Sequence, residues 1–431
     1  MKVQTPSAIV AGFLSGLVAG AGQAYNGQTR KALAFCLVQM AFMCLLLTVL
    51  KDPLYGLVTL EPAGGLQDSR HILLAGILAA FALLAYCVFH VANVADAVRT
   101  AISARKTACL REEAHRVKHG YFKVLKAVSP YLYISPSALM AVFVILVPLA
   151  FGIALAFTNY NLYHCPPAGR FRWVGLRNFA RILEPSSTWR GELHRVLSWN
   201  IIWAAVGTVL AFVVGLTLAL ILQNPRLRFR RVFRAVLMIP WAVPSTVSIM
   251  TFSGLFNTTF GPVNHMLASL GLRAIPWFQD PFWAKVSVVL THVWIAFPFN
   301  MAVVSAALQS IPLEVYEAAR VDGASRWDCF ATITFPLLMS VIAPIAVLMF
   351  AGNFNNFSII YLLTGGGPAV AGSKGAGATD ILMTWVYNLG FQQLQWAYAS
   401  ALAMIVFTIV VVLSIVNFRL SGVFRQLSQE E

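Results

Sequence analysis

Charged residues are scarce in this chain, and acidic residues are the scarcest of them. Only 11% of its 431 residues are Asp, Glu, Lys or Arg, whereas 59% are hydrophobic, and the mean hydropathy is +0.74. In a soluble globular domain, about a quarter of the residues are usually charged. The composition therefore excludes an ordinary water-soluble protein and predicts one that lies in a lipid bilayer.

The chain also lacks the patterns that mark nucleotide and metal sites. No Walker A pattern (G-x-x-x-x-G-K-S/T) occurs, and the glycine-rich stretch from Gly365 to Lys374 does not fit it because Ser373 precedes the lysine. The eight histidines form no H-E-x-x-H pattern and the six cysteines form no C-x-x-C pair. We therefore expect no metal, no cofactor and no catalytic site in this chain.

Long apolar runs dominate the sequence. Eight segments have the roughly 20-residue length that an α-helix needs to cross the hydrocarbon layer. They cover residues 32–50, 72–95, 136–157, 200–222, 234–256, 284–308, 337–357 and 400–418. The runs are continuous and do not alternate like the strands of a membrane barrel. The predicted fold class is an all-α integral membrane protein with eight transmembrane helices.

The N-terminal segment from Ala8 to Ala24 leaves three alternatives open. It has 17 residues, of which four are glycines. It is either an interfacial or re-entrant helix, or a ninth span that packs through small residues, or part of a cleaved signal peptide. The count of eight spans treats this segment as one that does not cross the bilayer.

Positive charge is in excess, with 31 Lys and Arg against 16 acidic residues and a net charge of +15. Its placement indicates membrane topology rather than nucleic-acid binding, because eight cations follow the second span and five follow the fourth. Alternating spans then place both termini and the 309–335 loop in the cytoplasm. Residues 158–199 carry six arginines on the opposite side, an exception that a longer translocated segment tolerates.

The loop between the sixth and seventh spans has the most informative pattern. From Glu317 to Pro336 it reads E-A-A-R-V-D-G-A-S-R-W-D-C-F-A-T-I-T-F-P. Gly323 predicts a sharp corner between two short helices, because glycine tolerates a positive φ. Ser325 and Asp328 have the spacing of a capping box, which predicts the start of the second helix. Such a helix pair fits a partner's groove, and the alternative is an ordinary loop helix on the lipid headgroups.

This loop resembles the EAA loop of ABC importer permeases. The positions that match the family pattern are Glu317, Ala318, Ala319, Gly323, Ile333 and Pro336, whereas Phe335 stands where leucine is usual. Four further stretches resemble the same family: residues 173–179 (W-V-G-L-R-N-F), 230–244, 254–261 (G-L-F-N-T-T-F-G) and 361–368 (Y-L-L-T-G-G-G-P). The last is similar to the MalF-like sugar permeases. The resemblance extends from about residue 130 to the C-terminus.

The resemblance implies an ABC type I importer permease core in a bacterial or archaeal cytoplasmic membrane. The expected domains are an N-terminal extension with two spans (1–96), a basic cytoplasmic linker (97–135) and a six-span core (136–431), with the coupling loop at 312–336. The expected partners are a second, MalG-like permease, an ABC ATPase dimer, an extracytoplasmic solute-binding protein, a sugar and membrane lipid. ATP hydrolysis would belong to the ATPase subunits, so the chain itself is not expected to be an enzyme.

The resemblance also implies that the sugar is an oligosaccharide, first of all maltose or a maltodextrin, with trehalose and glycerol phosphate left open. It implies substrate contacts at Met349, Gly352, Asn353, Asn356, His292, Ile295, Ala296 and Phe299. Asn353 and Asn356 are expected to share one helical face towards a cavity, and Pro298 is expected to interrupt its helix. His292 and Phe299 stand where the family has Asn and Tyr. The structural alternative for these polar residues is hydrogen bonding between helices.

An ion-coupled secondary carrier is the competing function. Proton- or sodium-coupled carriers usually keep carboxylates inside their spans. The six predicted core spans contain no Asp or Glu. The sequence therefore favours an ATP-driven importer over an ion-coupled carrier.

Overall fold

The computed structural model describes residues 7–60, 69–109, 133–134, 136–138, 140–165, 171–224 and 227–420. The chain forms two compact units, Met1–Val174 and Gly175–Glu431. Within the described residues the regular elements are helices, apart from one isolated antiparallel bridge between Thr158 and Trp173. The all-α prediction is therefore confirmed. Most of the predicted basic linker lies outside the described residues, and the predicted domain limits stay a prediction.

Among the described residues, the first unit contains five long or short helices besides the single 3-10 turn Leu162–His164. They are α1 (Ala8–Leu17), α2 (Ala21–Tyr25), α3 (Thr29–Thr59), α4 (Ser69–Cys109) and α5 (Pro136–Ala156). Helices α3, α4 and α5 are long and apolar enough to cross a membrane, and they contain the first three predicted spans. The two-span N-terminal hairpin thus corresponds to α3 and α4.

The N-terminal segment folds back onto α4. Helix α1 has ten residues and is about 15 Å long, half the thickness of the hydrocarbon layer. Its Ala11 packs against the buried Ala97 and Ala101 of α4. The Gln23 amide in α2 donates to the Asn93 carbonyl at 2.9 Å. Of the three predicted alternatives, this geometry favours the short re-entrant or interfacial helix.

The second unit contains eleven helices within the described residues. They are α6 (Arg177–Leu183), α7 (Thr188–Gln223), α8 (Arg230–Ala242), α9 (Ser245–Leu255), α10 (Pro262–Ser269), α11 (Pro281–Gln309), α12 (Leu313–Val321), α13 (Arg326–Phe354), α14 (Phe357–Thr364), α15 (Leu382–Tyr387) and α16 (Trp396–Leu420). Helices α7, α11 and α13 have the length and hydropathy of membrane spans.

Six helices among the described residues pass as membrane spans by length and composition, and a bent pair makes a seventh. The predicted span 234–256 corresponds to this pair. Its two helices, α8 and α9, meet at an angle of 91°. Pro240 and Pro244 lie at the bend and cannot donate the backbone hydrogen bonds of a straight helix. The predicted span 400–418 lies within α16, a helix of 25 residues.

Helix α11 runs without a break through Pro298, so the prediction that this proline interrupts its helix is wrong. The Asp280 carboxylate caps the helix by accepting from the backbone N–H groups of Phe282 and Trp283 at 2.9 and 3.1 Å. Tight packing against α7 holds the helix in place, because a Cβ at Gly215 of α7 would lie 2.6 Å from the Asn300 Cβ. Glycine is therefore needed where these two helices approach.

Candidate functional site

The predicted coupling loop forms an elbow made of α12, the corner at Gly323 and the first turns of α13. Gly323 has a φ of +83°, as its sequence position predicts. The second arm is not a short helix, because α13 continues from Arg326 to Phe354. The elbow is therefore the direct extension of a membrane-spanning helix.

Side-chain hydrogen bonds fix the shape of this elbow. The predicted capping box is present, with the Ser325 backbone N–H donating to the Asp328 carboxylate at 3.0 Å and the Asp328 N–H donating to the Ser325 hydroxyl at 3.2 Å. The hydroxyls of Tyr316 in α12 and Thr334 in α13 lie 2.9 Å apart. The two arms are thus connected beyond the corner itself.

The elbow presents apolar side chains to its surroundings. Trp327 is 71% exposed and Val321 is 87% exposed. Of the predicted coupling residues, Glu317, Ala318, Gly323 and Pro336 are exposed, and Ala319 and Ile333 are half-buried. An exposed apolar surface on a rigid helix pair is a feature of protein–protein contact sites.

A second polar site lies between α7, α11 and the C-terminal end of α13. The Asn353 amide donates to the Thr208 hydroxyl at 2.9 Å, and its backbone carbonyl accepts from the Trp203 indole N–H at 3.0 Å. The Asn200 amide donates to the Phe354 carbonyl at 2.9 Å. These bonds satisfy the carbonyls that the end of α13 leaves without a helical partner.

His292 of α11 faces the same site. Its ring stands edge-on to Trp203 with the centroids 5.1 Å apart. A Cβ at Gly207 would lie 3.1 Å from the His292 Cδ2 and 3.7 Å from the Asn353 Nδ2, so this glycine lets the two side chains approach α7. The buried His292 Nε2 has no hydrogen-bond partner among the residues that the structure describes.

The structure separates the two asparagines that the sequence places on one helical face. Helix α13 ends at Phe354, and Asn356 is the N-cap of α14, where its side chain accepts from the Ile359 N–H at 3.4 Å. Asn353 faces α7 instead. The expected single face towards a cavity is therefore replaced by a helix break between the two residues, and their contact with a sugar stays a prediction.

The remaining predicted contact positions lie in different surroundings. Ile295 packs against an apolar cluster that includes Trp199 and Ile249. The Ala296 carbonyl accepts from the Asn300 amide at 3.0 Å, so this carbonyl is hydrogen-bonded within α11. Met349 is half-buried and Gly352 is exposed. The structure brings His292 and Asn353 together but does not gather all eight positions at one point.

Phe299 has a neighbour that the sequence analysis missed. Its ring lies 6.3 Å from that of Trp241, and both side chains are partly exposed. Trp241 lies in the bend between α8 and α9, next to Pro240. The sequence does contain a signal for this contact, which is an aromatic residue between two prolines inside an apolar run. Prolines bend a helix, and a side chain at the bend turns away from the helix packing.

Comparisons with known proteins show the family of this chain. Residues 198–422 match the family model described as "Binding-protein-dependent transport system inner membrane component". The chain is 37% identical to the galactooligosaccharides transport system permease protein GanP of Bacillus subtilis over 414 residues, which cover 96% of this chain and 98% of the relative. It is 36% identical to the maltodextrin transport system permease protein MalC of Streptococcus pneumoniae, with 97% of both chains covered.

A solved structure supports the fold. A bacterial ABC transporter involved in the import of the acidic polysaccharide alginate matches with a TM-score of 0.56 and 21% identity, over 70% of this chain and 98% of that one. The helices, the elbow and these matches define a multi-pass ABC importer permease. The chain belongs to the family of inner membrane components of binding-protein-dependent transport systems.

Proposed function

We propose that this chain is one permease subunit of an ATP-driven importer that carries an oligosaccharide from an external binding protein into the cytoplasm. The observation that carries this proposal is the elbow, a rigid and exposed helix pair that extends a membrane-spanning helix. Movement of a partner at the elbow would be transmitted directly to α13, because Arg326–Phe354 is a single helix. The partner that fits is an ATPase dimer, since the sequence has no Walker A pattern of its own.

The distribution of positive charge along the chain supports a count of eight membrane spans. We count the bent pair α8–α9 and helix α16 with the six longer helices. The basic segments after the second and fourth spans then lie in the cytoplasm, together with both termini and the elbow. The six-span core would face a second, MalG-like permease across the translocation pathway.

We propose that the substrates are maltodextrins and galactooligosaccharides, the sugars in the names of the two relatives. A maltose-type sugar is the substrate that we favour. Both are neutral oligosaccharides, which suits a pathway whose six predicted core spans have no Asp or Glu. Trp241 and Phe299 supply partly exposed aromatic rings of the kind that stack on sugar rings, and Asn356 supplies an amide. Trehalose and glycerol phosphate are the alternatives.

Reconstitution tests the proposal. Proteoliposomes with this chain, its partner permease, the ATPase and the binding protein should accumulate labelled maltotriose only when ATP is supplied inside. Trp241→Ala should reduce the uptake rate at least fivefold, whereas Trp173→Ala, in the other unit, should leave it within twofold. Uptake driven by an ion gradient without ATP would favour a secondary carrier and overturn the proposal.

A further inference from the structure

Helix α6 separates its charged residues from its buried ones. Asn178 and Ile182, four positions apart, are buried, and the helix contacts α7 and α16. Arg177 and Arg181, also four positions apart, are exposed. Residues with this spacing lie next to each other on one side of a helix. The two guanidinium groups are therefore neighbours on the exposed side of α6.

An open groove of about 540 Å³ runs along this exposed side. It is lined by two arginines, one carboxylate and two apolar side chains, which are Arg177, Arg181, Glu184, Ala180 and Leu183. We call this surface the α6 groove. The Ser186 hydroxyl donates to the Glu184 carboxylate at 3.2 Å, so the carboxylate has a partner of its own. Two cations against one anion leave the groove positively charged, with an apolar edge beside the charge.

Arg181 is held in position by an aromatic stack. Its guanidinium donates to the Tyr398 hydroxyl at 2.6 Å. The Tyr398 ring stacks on the ring of the buried Trp189, with the centroids 5.1 Å apart and an angle of 17° between the planes. The bond to Tyr398, and after it the charge of Glu184, raise the pKa of Arg181. Arg181 therefore stays charged, and its other N–H groups can donate to a ligand.

Tyr398 also fixes the depth of the groove in the membrane. It lies in the first turn of α16, whose apolar segment begins at Trp396. Trp and Tyr side chains are enriched at the level of the lipid headgroups, and Trp189, Trp396 and Tyr398 supply three of them here. Because Arg181 is bonded to Tyr398, the α6 groove lies at the level of the headgroups.

Lipid phosphate is the group at this depth that complements the charge. Residues 158–199 carry six arginines on the translocated side, where cations are usually sparse, and two of the six line the groove. A guanidinium binds phosphate oxygens through two parallel N–H groups. Basic pockets between membrane helices bind lipid headgroups in the same way.

We propose that the α6 groove binds the headgroup of an anionic phospholipid in the leaflet opposite the cytoplasm. Arg177 and Arg181 hold the phosphodiester, and the apolar edge of Ala180 and Leu183 receives the glycerol backbone. A zwitterionic lipid fits less well, because its ammonium group would lie beside the two guanidinium groups. Lipid binding here does not depend on transport, and only the choice of leaflet rests on the eight-span topology of the proposed function.

Three variants test the groove. Arg177→Gln/Arg181→Gln removes both cations, whereas Glu184→Gln removes the carboxylate and makes the groove more positive. Arg273→Gln is the matched control, because it removes an exposed arginine between α10 and α11 that does not line the groove. Each full chain is purified in detergent with its partner subunits. It is titrated with dioleoylphosphatidylglycerol or dioleoylphosphatidylcholine, and native mass spectrometry measures the affinity for the first bound lipid.

The wild-type complex should bind phosphatidylglycerol at least about fivefold more tightly than phosphatidylcholine. The double variant should bind phosphatidylglycerol at least about fivefold more weakly than wild type and lose this preference. Glu184→Gln should bind it about twofold more tightly, because the groove gains net positive charge. Arg273→Gln should stay within about 1.5-fold of wild type, since exposed charges more than about 10 Å away are screened.

An unchanged affinity for phosphatidylglycerol in the double variant would overturn the proposal. An equal loss in Arg273→Gln would also overturn it, because the effect would then follow the overall charge rather than the groove. Displacement of the bound lipid by equimolar glycerophosphoglycerol or inorganic phosphate would assign the groove to a soluble phosphate instead. If loss of the Tyr398 bond prevents assembly of the double variant, Arg177→Gln alone decides, with a weakening of at least about threefold expected.

Discussion

Tyr316 and Thr334 face each other across the elbow, with their hydroxyl oxygens 2.9 Å apart. One residue belongs to α12 and the other to α13, and they are 18 positions apart in the chain. Thr334 also donates to the Cys329 carbonyl at 3.2 Å, so its hydroxyl is oriented by its own helix. The contact therefore connects α12 to α13 at a second point besides the corner at Gly323.

We therefore expect Tyr316→Phe to loosen the elbow without changing its shape. One partly buried hydrogen bond is worth about 1 kcal/mol, so the arms should separate more often and uptake should require more ATP per sugar. The measurement is the ratio of ATP hydrolysed to sugar transported in proteoliposomes. Ser340→Ala is the control, because that hydroxyl donates only to the Leu337 carbonyl of its own helix at 2.7 Å. An equal ratio in all three proteins would show that the Tyr316 bond has no part in coupling.

The corner of the elbow gives a second prediction. Gly323→Pro should abolish uptake and leave membrane insertion intact, because proline cannot adopt the φ of +83° found there. Glu317→Lys should have the same effect by reversing an exposed charge on the coupling surface. The control is Gly254→Ala, at a glycine without positive φ whose added Cβ meets open space. Transport by Gly323→Pro at half the wild-type rate or more would contradict a coupling role.

The elbow was predictable because its features are local in sequence. The capping box of Ser325 and Asp328 and the corner at Gly323 each depend on spacings of a few residues, which a sequence shows directly. The continuous helix from Arg326 to Phe354 was not predicted. The polar residues before Phe335 interrupt the apolar pattern, so the second arm of the elbow and the membrane span after it look like separate helices in the sequence. The long apolar runs were recognised for the same reason as the corner, because hydropathy is a local property.

The polar site was harder to predict, because its partners are distant in the chain. Asn353 bonds to Thr208, which is 145 positions away, and only the fold brings α7 to the end of α13. The break after Phe354 was also missed, although an asparagine at position 356 is a good N-cap. Trp241 was missed although the two prolines beside it are a local signal. The bonds from Glu192 to the backbone of Lys374 and Ala376 were missed because these residues lie 182 and 184 positions away. Pairings between distant segments leave no periodic signal in a single sequence.

Asn353 and Asn356 should respond differently to substitution by leucine. Asn353→Leu removes the amide that donates to the buried Thr208 hydroxyl, whose own bond to the Ala204 carbonyl at 2.7 Å remains, so we expect a loss of stability of about 1 kcal/mol and a lower melting temperature. Asn356→Leu should mainly raise the sugar concentration needed for half-maximal uptake, at a cap cost of about 1 kcal/mol. Thermal unfolding in detergent and uptake kinetics separate the two effects. Unchanged sugar kinetics in Asn356→Leu would place that residue in a structural role.

Two glycines in helix α7 give the last prediction. A Cβ at Gly215 would lie 2.8 Å from the Met301 backbone nitrogen, which cannot move without shifting α11, whereas a Cβ at Gly191 meets open space. Gly215→Ala should therefore lower the melting temperature by several degrees, because an overpacked core costs about 1–3 kcal/mol. Gly191→Ala should keep or raise it, since alanine favours a helix over glycine by about 1 kcal/mol. If Gly215→Ala were as stable as Gly191→Ala, α7 and α11 would not be in the close contact described, and the placement of His292 against Gly207 would lose its support.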